Sequence, residues 1–317
     1  MKKKYLVPIF IVLAISSIFI GVQNINVIDI FYGDVSKINI ILLSRLPRLI
    51  SIIVAGVGMS IAGVIMQQIS NNKFVSPTTA ATSDSAKLGV LVAMLLLPKA
   101  TLIQKMIIAF VFSILGTYLF MTIHKKIKIK NIVFIPLVGL MLGNVIGAIT
   151  DFLAYRGNLI QSVGAFMQGD FSMVIKGNYE MLYFIIPLLI VALLYAKKFT
   201  IISMGEDMSY NLGLNYNKVC NIGITIVAII SSLVVITVGN IPFIGLVVPN
   251  IVSIAKGDNL SENIGETAIF GATFVLICDI VGRLIIYPYE VPISLTVGVI
   301  GSVIFLYLIF RRSNNYD

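Results

Sequence analysis

"SRLPRLISIIVAGVGMSIAGVIMQQIS", residues 44–70, is the stretch that decides what kind of chain this is. From Leu49 onward it is an almost unbroken apolar run in which Gly, Ala and Ser are scattered among Ile, Val and Met. About 20 such residues in a helix cross the hydrocarbon core of a bilayer. Interspersed small residues let neighbouring helices approach closely where no water drives them together. The run opens on two arginines three apart, Arg45 and Arg48, around Leu46 and Pro47. Lys and Arg beside a span ordinarily mark its cytoplasmic end, so the first question is whether these two do.

The rest of the chain repeats the pattern. Of its 317 residues, 58% are hydrophobic and only 12% charged. A soluble domain of this length could not cover so much apolar surface. The class is an all-α polytopic membrane protein. The net charge of +9 comes from short basic clusters between apolar runs, which is the pattern of membrane topology and not of nucleic-acid binding. Cys220 and Cys278 stand far apart in apolar surroundings and form neither a disulfide framework nor a metal site. With His124 as the single histidine, no metal site is expected. The N-terminus, "MKKKYLVPIFIVLAISSIFIGVQN", has a basic start and an apolar core but no small-x-small cleavage site. More spans follow it, so it reads as a retained first helix.

Apolar runs place helices at about 5–22, 49–69, 85–97, 102–123, 132–155, 181–196, 219–238, 243–255, 266–286 and 292–310, about ten transmembrane helices in a single domain over 1–317. The run 85–97 is short and open to extension either way. The run 243–255 holds Pro249 and follows the turn Gly239-Asn240-Ile241-Pro242, which suggests a broken or partly re-entrant helix. With the N-terminus inside, the cytoplasmic side holds fourteen basic residues: Lys2, Lys3, Lys4, Lys73, Lys125, Lys126, Lys128, Lys130, Lys197, Lys198, Lys218, Lys256, Arg311 and Arg312. The outer side holds eight: Lys37, Arg45, Arg48, Lys99, Lys105, Arg156, Lys176 and Arg283, with Lys87 at a boundary. The bias favours both termini inside. Arg45 and Arg48 then lie outside, against the trend, and topology does not explain them.

Three segments are neither span nor simple loop. Residues 36–48, "SKINIILLSRLPR", mix apolar and charged residues and read as an interfacial amphipathic helix. Residues 197–219 carry Glu206 and Asp207 where a short helix would begin, which the helix dipole favours. Gly213 is a fitting terminator, and Met208, Leu212 and Leu214 supply an apolar edge. On spacing alone this is a helix lying across the cytoplasmic face or an ordinary amphipathic loop. Residues 71–89, "NNKFVSPTTAATSDSAKLG", are small and polar. They would line a pathway at membrane depth or form a solvated loop capped by Ser and Asp. Asp151 and Glu290 lie near the outer ends of spans, where they face the pathway or, more simply, are solvated in loops. Asp279 is the one acid read as midspan, with Arg283 a helical turn away for an ion pair.

The pieces "RLPRLISIIVAGVGMSIAGVIMQQISNNKFVSP" (45–77), "PLVGLMLGNVIG" (136–147), "MGEDMSYNLGL" (204–214), "VGNIPFIGLVVPNIVSIAKGDN" (238–259) and "GATFVLICDIVGRLIIYPYEVPISLTVGVIGSVIFLYLI" (271–309), in this order, resemble the FecCD-type permeases of bacterial ABC importers for siderophore-bound iron, heme and cobalamin. Asn72-Lys73-Phe74 stands where many members have Asn-Pro-Leu. "TTAATSDSAKLG" replaces a glycine-rich element. These departures resemble the subgroup that handles catecholate ferric siderophores of the petrobactin and anguibactin kind.

The resemblance implies a type II ABC importer permease fold and a multi-pass place in the bacterial cytoplasmic membrane. It implies import of a ferric siderophore by a pore made with a second permease subunit, a different chain rather than a second copy. Two cytoplasmic ABC ATPases drive the pore, and an extracellular lipoprotein binding protein delivers the ligand. This sequence has no G-x-x-x-x-G-K-[ST] loop. ATP and Mg are therefore expected on the partners, with no cofactor on this chain and no enzyme activity of its own. The resemblance assigns ATPase coupling to about 199–217, with Gly205, Glu206, Leu212, Gly213 and Leu214. It assigns binding-protein docking to Arg45, Arg48 and Arg283, and a cytoplasmic gate or pathway role to Asn72, Phe74, Ser76 and Pro77. Another iron chelate, heme or cobalamin is the alternative cargo. An ion-coupled secondary transporter would need midspan acids, and an ion channel a filter segment.

Overall fold

The computed structural model describes residues 3–21, 23, 35–126 and 134–313. Among them the ordered elements are helices. α1 is Lys3–Phe19. α2, Val35–Ile40, runs through a π turn at Ile41–Arg45 into α3, Leu46–Ser70. A 3-10 turn at Pro77–Ala80 precedes α4, Thr82–Leu96. Then come α5, Leu102–Lys126, α6, Phe134–Arg156, and α7, Ile160–Met167. A second 3-10 turn, Glu180–Phe184, leads into α8, Ile185–Ile202, and the short α9, Glu206–Asn211. α10, Tyr216–Val238, α11, Ile244–Lys256, α12, Leu260–Leu284, and α13, Ile293–Ser313, complete the bundle.

Among the described residues, six helical stretches are long and apolar enough to cross a membrane: Val35–Ser70, Leu102–Ile123, Leu137–Arg156, Glu180–Ile202, Tyr216–Val238 and Leu260–Leu284. The shorter α1, α4, α11 and α13 occupy the other four expected spans. The expected separate interfacial helix at 36–48 is corrected: this segment is helical but joins α3 without a break. Pro47 falls in the first turn of α3, where proline removes no needed donor. The π turn absorbs the join. Lys2, Lys128 and Lys130, used for the orientation, lie outside the described residues.

α3 is the axis of the fold. It is covered by α10, α11 and α12 and is buried along most of its length. The packing depends on its small residues. A Cβ on Gly63 would stand 2.1 Å from the Gly245 carbonyl oxygen, and one on Gly56 would stand 2.9 Å from Ala272 Cα. Helix backbones therefore touch there directly, which gives close dispersion contact without an aqueous driving force. Several hydroxyls inside the bundle bond back to their own helix or to a neighbouring one, where no water is at hand. Ser51 Oγ donates to the Pro47 carbonyl at 2.8 Å and Ser70 Oγ to that of Met66 at 2.7 Å. Ser113 of α5 and Ser232 of α10 pair at 2.6 Å, and Ser113 also donates to the Thr82 carbonyl at 2.9 Å.

α11 has 13 residues, about 20 Å at 1.5 Å per residue, too short to cross alone. It is not broken at Pro249, as the sequence suggested it could be, but continues through it. Proline has no N–H for the carbonyl one turn back. That carbonyl belongs to Gly245, and Gln67 Nε2 of α3 reaches it at 3.4 Å. The neighbouring helix thus supplies the donor that the proline removes.

Candidate functional site

Three sets of residues singled out by sequence fall in three places. At the end of the bundle where α3 begins, Arg45, Arg48 and Arg283 lie in one neighbourhood with Asp279 and Glu290. Arg48 projects from the first turn of α3 between two acids. Its Nη2 donates to Asp279 Oδ1 at 2.8 Å, and its Nη1 to Glu290 Oε2 at 2.6 Å. Asp279 Oδ2 takes Arg283 Nη2, so one carboxylate bridges two guanidiniums. Asp279 is 4% exposed and Arg283 5%. Arg283 Nη1 also donates to the Ser17 and Ile20 carbonyls at 2.9 Å each, tying α12 to α1. Arg45 sits apart from the acids. It donates to the Ile18 carbonyl at 2.6 Å and to that of Gln23.

The expected ion pair between Asp279 and Arg283 is present, and Asp279 lies near the end of α12, not at midspan. Glu290 does not stand alone in a solvated loop but closes the Arg48 pair. Sequence reasoning missed Glu290 as a partner because it is 242 positions from Arg48. The only signal was a charge between two apolar runs.

At the far end of α3 the chain turns through Asn71, whose φ of 43° is left-handed. Asn72 Oδ1 accepts from the Phe74 N–H at 2.9 Å and so fixes the turn. Lys73 Nζ lies 2.6 Å from Asp258 Oδ1 and 2.8 Å from Ser253 Oγ. Asn250 Nδ2 holds the Lys73 carbonyl at 2.8 Å. Phe74 stays half exposed, edge-on to Phe305 of α13 with centroids 5.9 Å apart; Phe243 is 6.3 Å from the same ring. Ser76 Oγ lies 3.2 Å from Thr78 Oγ1, and Pro77 is buried against Gly245. A cavity of about 90 Å³ opens beside this turn, lined among others by Gln67, Asn72, Ser253 and Asn263.

Residues 203–214 form a knuckle beyond α8. Gly205, with φ of 105°, starts α9, and Gly213, with φ of 76°, ends it. Both conformations suit glycine and strain other residues. Glu206 and Asp207 occupy the first turn, as expected. Ser209 Oγ turns back to the Gly205 carbonyl at 2.7 Å, and the Leu214 N–H donates to the Ser209 carbonyl at 2.9 Å. The outward face carries Met204, Met208, Tyr210 and Leu212, the last 53% exposed.

The polar stretch 71–89 is not a single loop: from Thr82 it is helix α4. Asp84, in the first turn of α4, packs against Gly143 of α6. Gly143 is nine residues from the start of α6 and thirteen from its end, about 14 and 20 Å along the axis. Asp84 is thus at mid-membrane depth. The expectation that Asp279 is the one midspan acid is corrected. Two turns of chain order had hidden how far the 77–81 segment climbs into the bundle before the helix starts. Likewise Asp151 is not simply solvated but lies 2.5 Å from Lys87 Nζ.

With these sites located, comparison with known proteins decides the family. The FecCD transport family matches residues 9–311, nearly the whole chain. The chain belongs to the FecCD transport family. Relatives include the petrobactin import system permease protein YclN of Bacillus subtilis, 55% identical over 312 residues and covering 98% of this chain and 99% of that one. The ferric-anguibactin transport system permease protein FatD of Vibrio anguillarum is 39% identical, covering 86% of each. A solved structure described as an inward-facing conformation of a metal-chelate type ABC transporter superposes with a TM-score of 0.82. It covers 96% of this chain and 97% of that one at 22% identity, a likeness of fold. This FecCD-family chain is a multi-helix membrane protein, and segments 45–77 and 271–309, both inside the matched range, supply the Arg48, Asp279 and Arg283 cluster between them.

Proposed function

We propose that this chain is the permease subunit of an ABC importer that carries a ferric siderophore of the catecholate class across the bacterial cytoplasmic membrane, with both termini inside. The observation that carries the reading is the 55% identity to the petrobactin import permease YclN across essentially both full chains. The chain supplies the path and the moving parts. ATP and Mg belong to two cytoplasmic ATPases, and selection begins at an extracellular lipoprotein binding protein. A second, related permease completes the pore as a heterodimer, and no enzyme activity resides here.

Geometry supports roles for the named residues. The α9 knuckle, with Gly205, Glu206, Leu212, Gly213 and Leu214, presents exposed apolar side chains on a rigid turn. It is shaped to seat in an ATPase groove and pass its movement to α8 and α10. Arg48, at the rim, is the arginine that an acidic binding-protein lobe reaches first, by competing with Glu290. Arg283 and Arg45 lie behind it and hold the rim in place. Asn72, Phe74, Ser76 and Pro77 build the opposite turn, where Phe74 beside Phe305 narrows the exit.

The test is uptake of ferric petrobactin by proteoliposomes holding this chain with its second permease, ATPase and binding protein. ATP-dependent uptake is expected. Uptake that persists without the ATPase, or none at all, would overturn the reading. For docking, Arg48→Gln is expected to slow binding-protein association and flatten its salt dependence. An unchanged rate at two ionic strengths would remove that role.

A further inference from the structure

Asp84, Lys87 and Asp151 stand out because they are charged in places where a membrane helix cannot afford it. Lys87 Nζ meets Asp151 Oδ1 at 2.5 Å across α4 and α6, and Lys87 and Asp151 are the charges nearest Asp84. Asp84 is seated at the middle of α6 because Gly143 has no side chain: a Cβ there would stand 2.4 Å from Asp84 Oδ2. The Asp151 side chain is 63% exposed and that of Lys87 28%. Asn144, seven residues before Asp151 and so on the same face of α6, is exposed too. A strip of charge and amide therefore runs along one face of α6 from mid-depth towards the outer end, open to whatever surrounds the chain. Lipid tails cannot solvate it, and ionisable side chains at this depth face a water-filled cavity or a protein neighbour.

We propose that Asp84, Lys87 and Asp151 line the passage itself, and that Lys87 is the cation that meets an oxygen-rich, anionic metal chelate on its way through. The proposal rests on the importer reading above. The two flanking carboxylates set the strength of that contact. A lone lysine in a low dielectric would hold an anionic chelate tightly, and passage requires contacts weak enough to release. Paired with Asp151 in the resting state, Lys87 exchanges one carboxylate for the oxygens of the ligand and takes it back afterwards. No bond is made or broken.

Single cysteines test the lining directly, because Cys220 and Cys278 are both buried and the background is low. Asp151→Cys and Lys87→Cys, in the assembled importer in liposomes, are expected to react with a charged, membrane-impermeant methanethiosulfonate. Ferric petrobactin delivered by the binding protein is expected to slow that reaction. Labelling only by a membrane-permeant maleimide, or none, would overturn the proposal even if uptake by the unsubstituted importer stands. Loss of uptake in the unsubstituted importer would instead fall on the substrate reading.

Kinetics separate a ligand contact from a mere brace between α4 and α6. Lys87→Gln is expected to raise the KM for ferric petrobactin about tenfold or more, the scale of a lost charge-assisted contact, with binding-protein-stimulated ATPase activity retained. Replacing both partners of a structural pair together leaves no unpaired charge and costs less than replacing one. A Lys87→Gln/Asp151→Asn double variant that recovers normal KM would therefore overturn the ligand role; the expected result is that it stays impaired.

Discussion

The two ends of the bundle treat their surfaces in opposite ways. Where α3 begins, four charged side chains from three parts of the chain are turned on one another, and Asp279, shared by Arg48 and Arg283, is almost wholly buried. At the α9 end the pairs Lys73–Asp258 and Lys256–Glu266 each keep one member well exposed, while Met204, Met208 and Leu212 project outward with little to cover them. The difference is one of solvent. Charges near the low-dielectric interior must find partners within the chain, since desolvation is costly. Apolar side chains beside water pay far less, and an exposed apolar edge on a rigid knuckle is a surface for something else to cover. One end is closed chemistry and the other is open chemistry.

Substitutions can break that contrast, and the largest effect is expected where charge is buried. Asp279→Asn leaves Arg48 and Arg283 without their shared partner and should cost about 3–5 kcal/mol of stability. Thermal unfolding in detergent measures it, and an unshifted Tm would mean that the cluster at the start of α3 is not the closed structure described. Glu290→Gln should cost far less, about 1 kcal/mol, because the Glu290 side chain is partly exposed and Asp279 still holds Arg48. The same melting assay, with the two variants side by side, sharpens the difference between the bridging acid and the rim acid. Smallest of all, Leu212→Ala should move stability by no more than about 0.5 kcal/mol. It should nonetheless lower transport relative to ATP hydrolysis in the reconstituted importer. A variant that unfolds, or that transports normally, would contradict the open character assigned to that end.

Much of this was legible in the sequence, for reasons that particular residues make clear. Each of the ten apolar runs has a helix, because the bilayer requirement of about 20 apolar residues with internally bonded backbone leaves few other choices. Even the short helices could be placed: the Gly239–Pro242 turn precedes α11, though Pro249 does not break it, and Glu206, Asp207 and Gly213 mark α9. The separate helix at 36–48 failed because Pro47 falls in the one turn of a helix that tolerates it, so the helix runs on. Asp84 was misplaced because its depth depends on the climb of residues 77–81, and no local periodicity encodes that.

The sequence by itself determined the class, the placing of the helices and the family, since these follow from hydrophobic run length and from motifs read in order. Pairing was decided only by the tertiary structure. Arg48 meets Asp279 and Glu290 from 231 and 242 positions away, Lys87 meets Asp151 from 64, and Gln67 supplies the donor that Pro249 removes. Where water is scarce, the partner of a polar group is whichever group the packing of glycine-faced helices brings within reach. A charge in an apolar run signals that a partner must exist; only the folded bundle says which one.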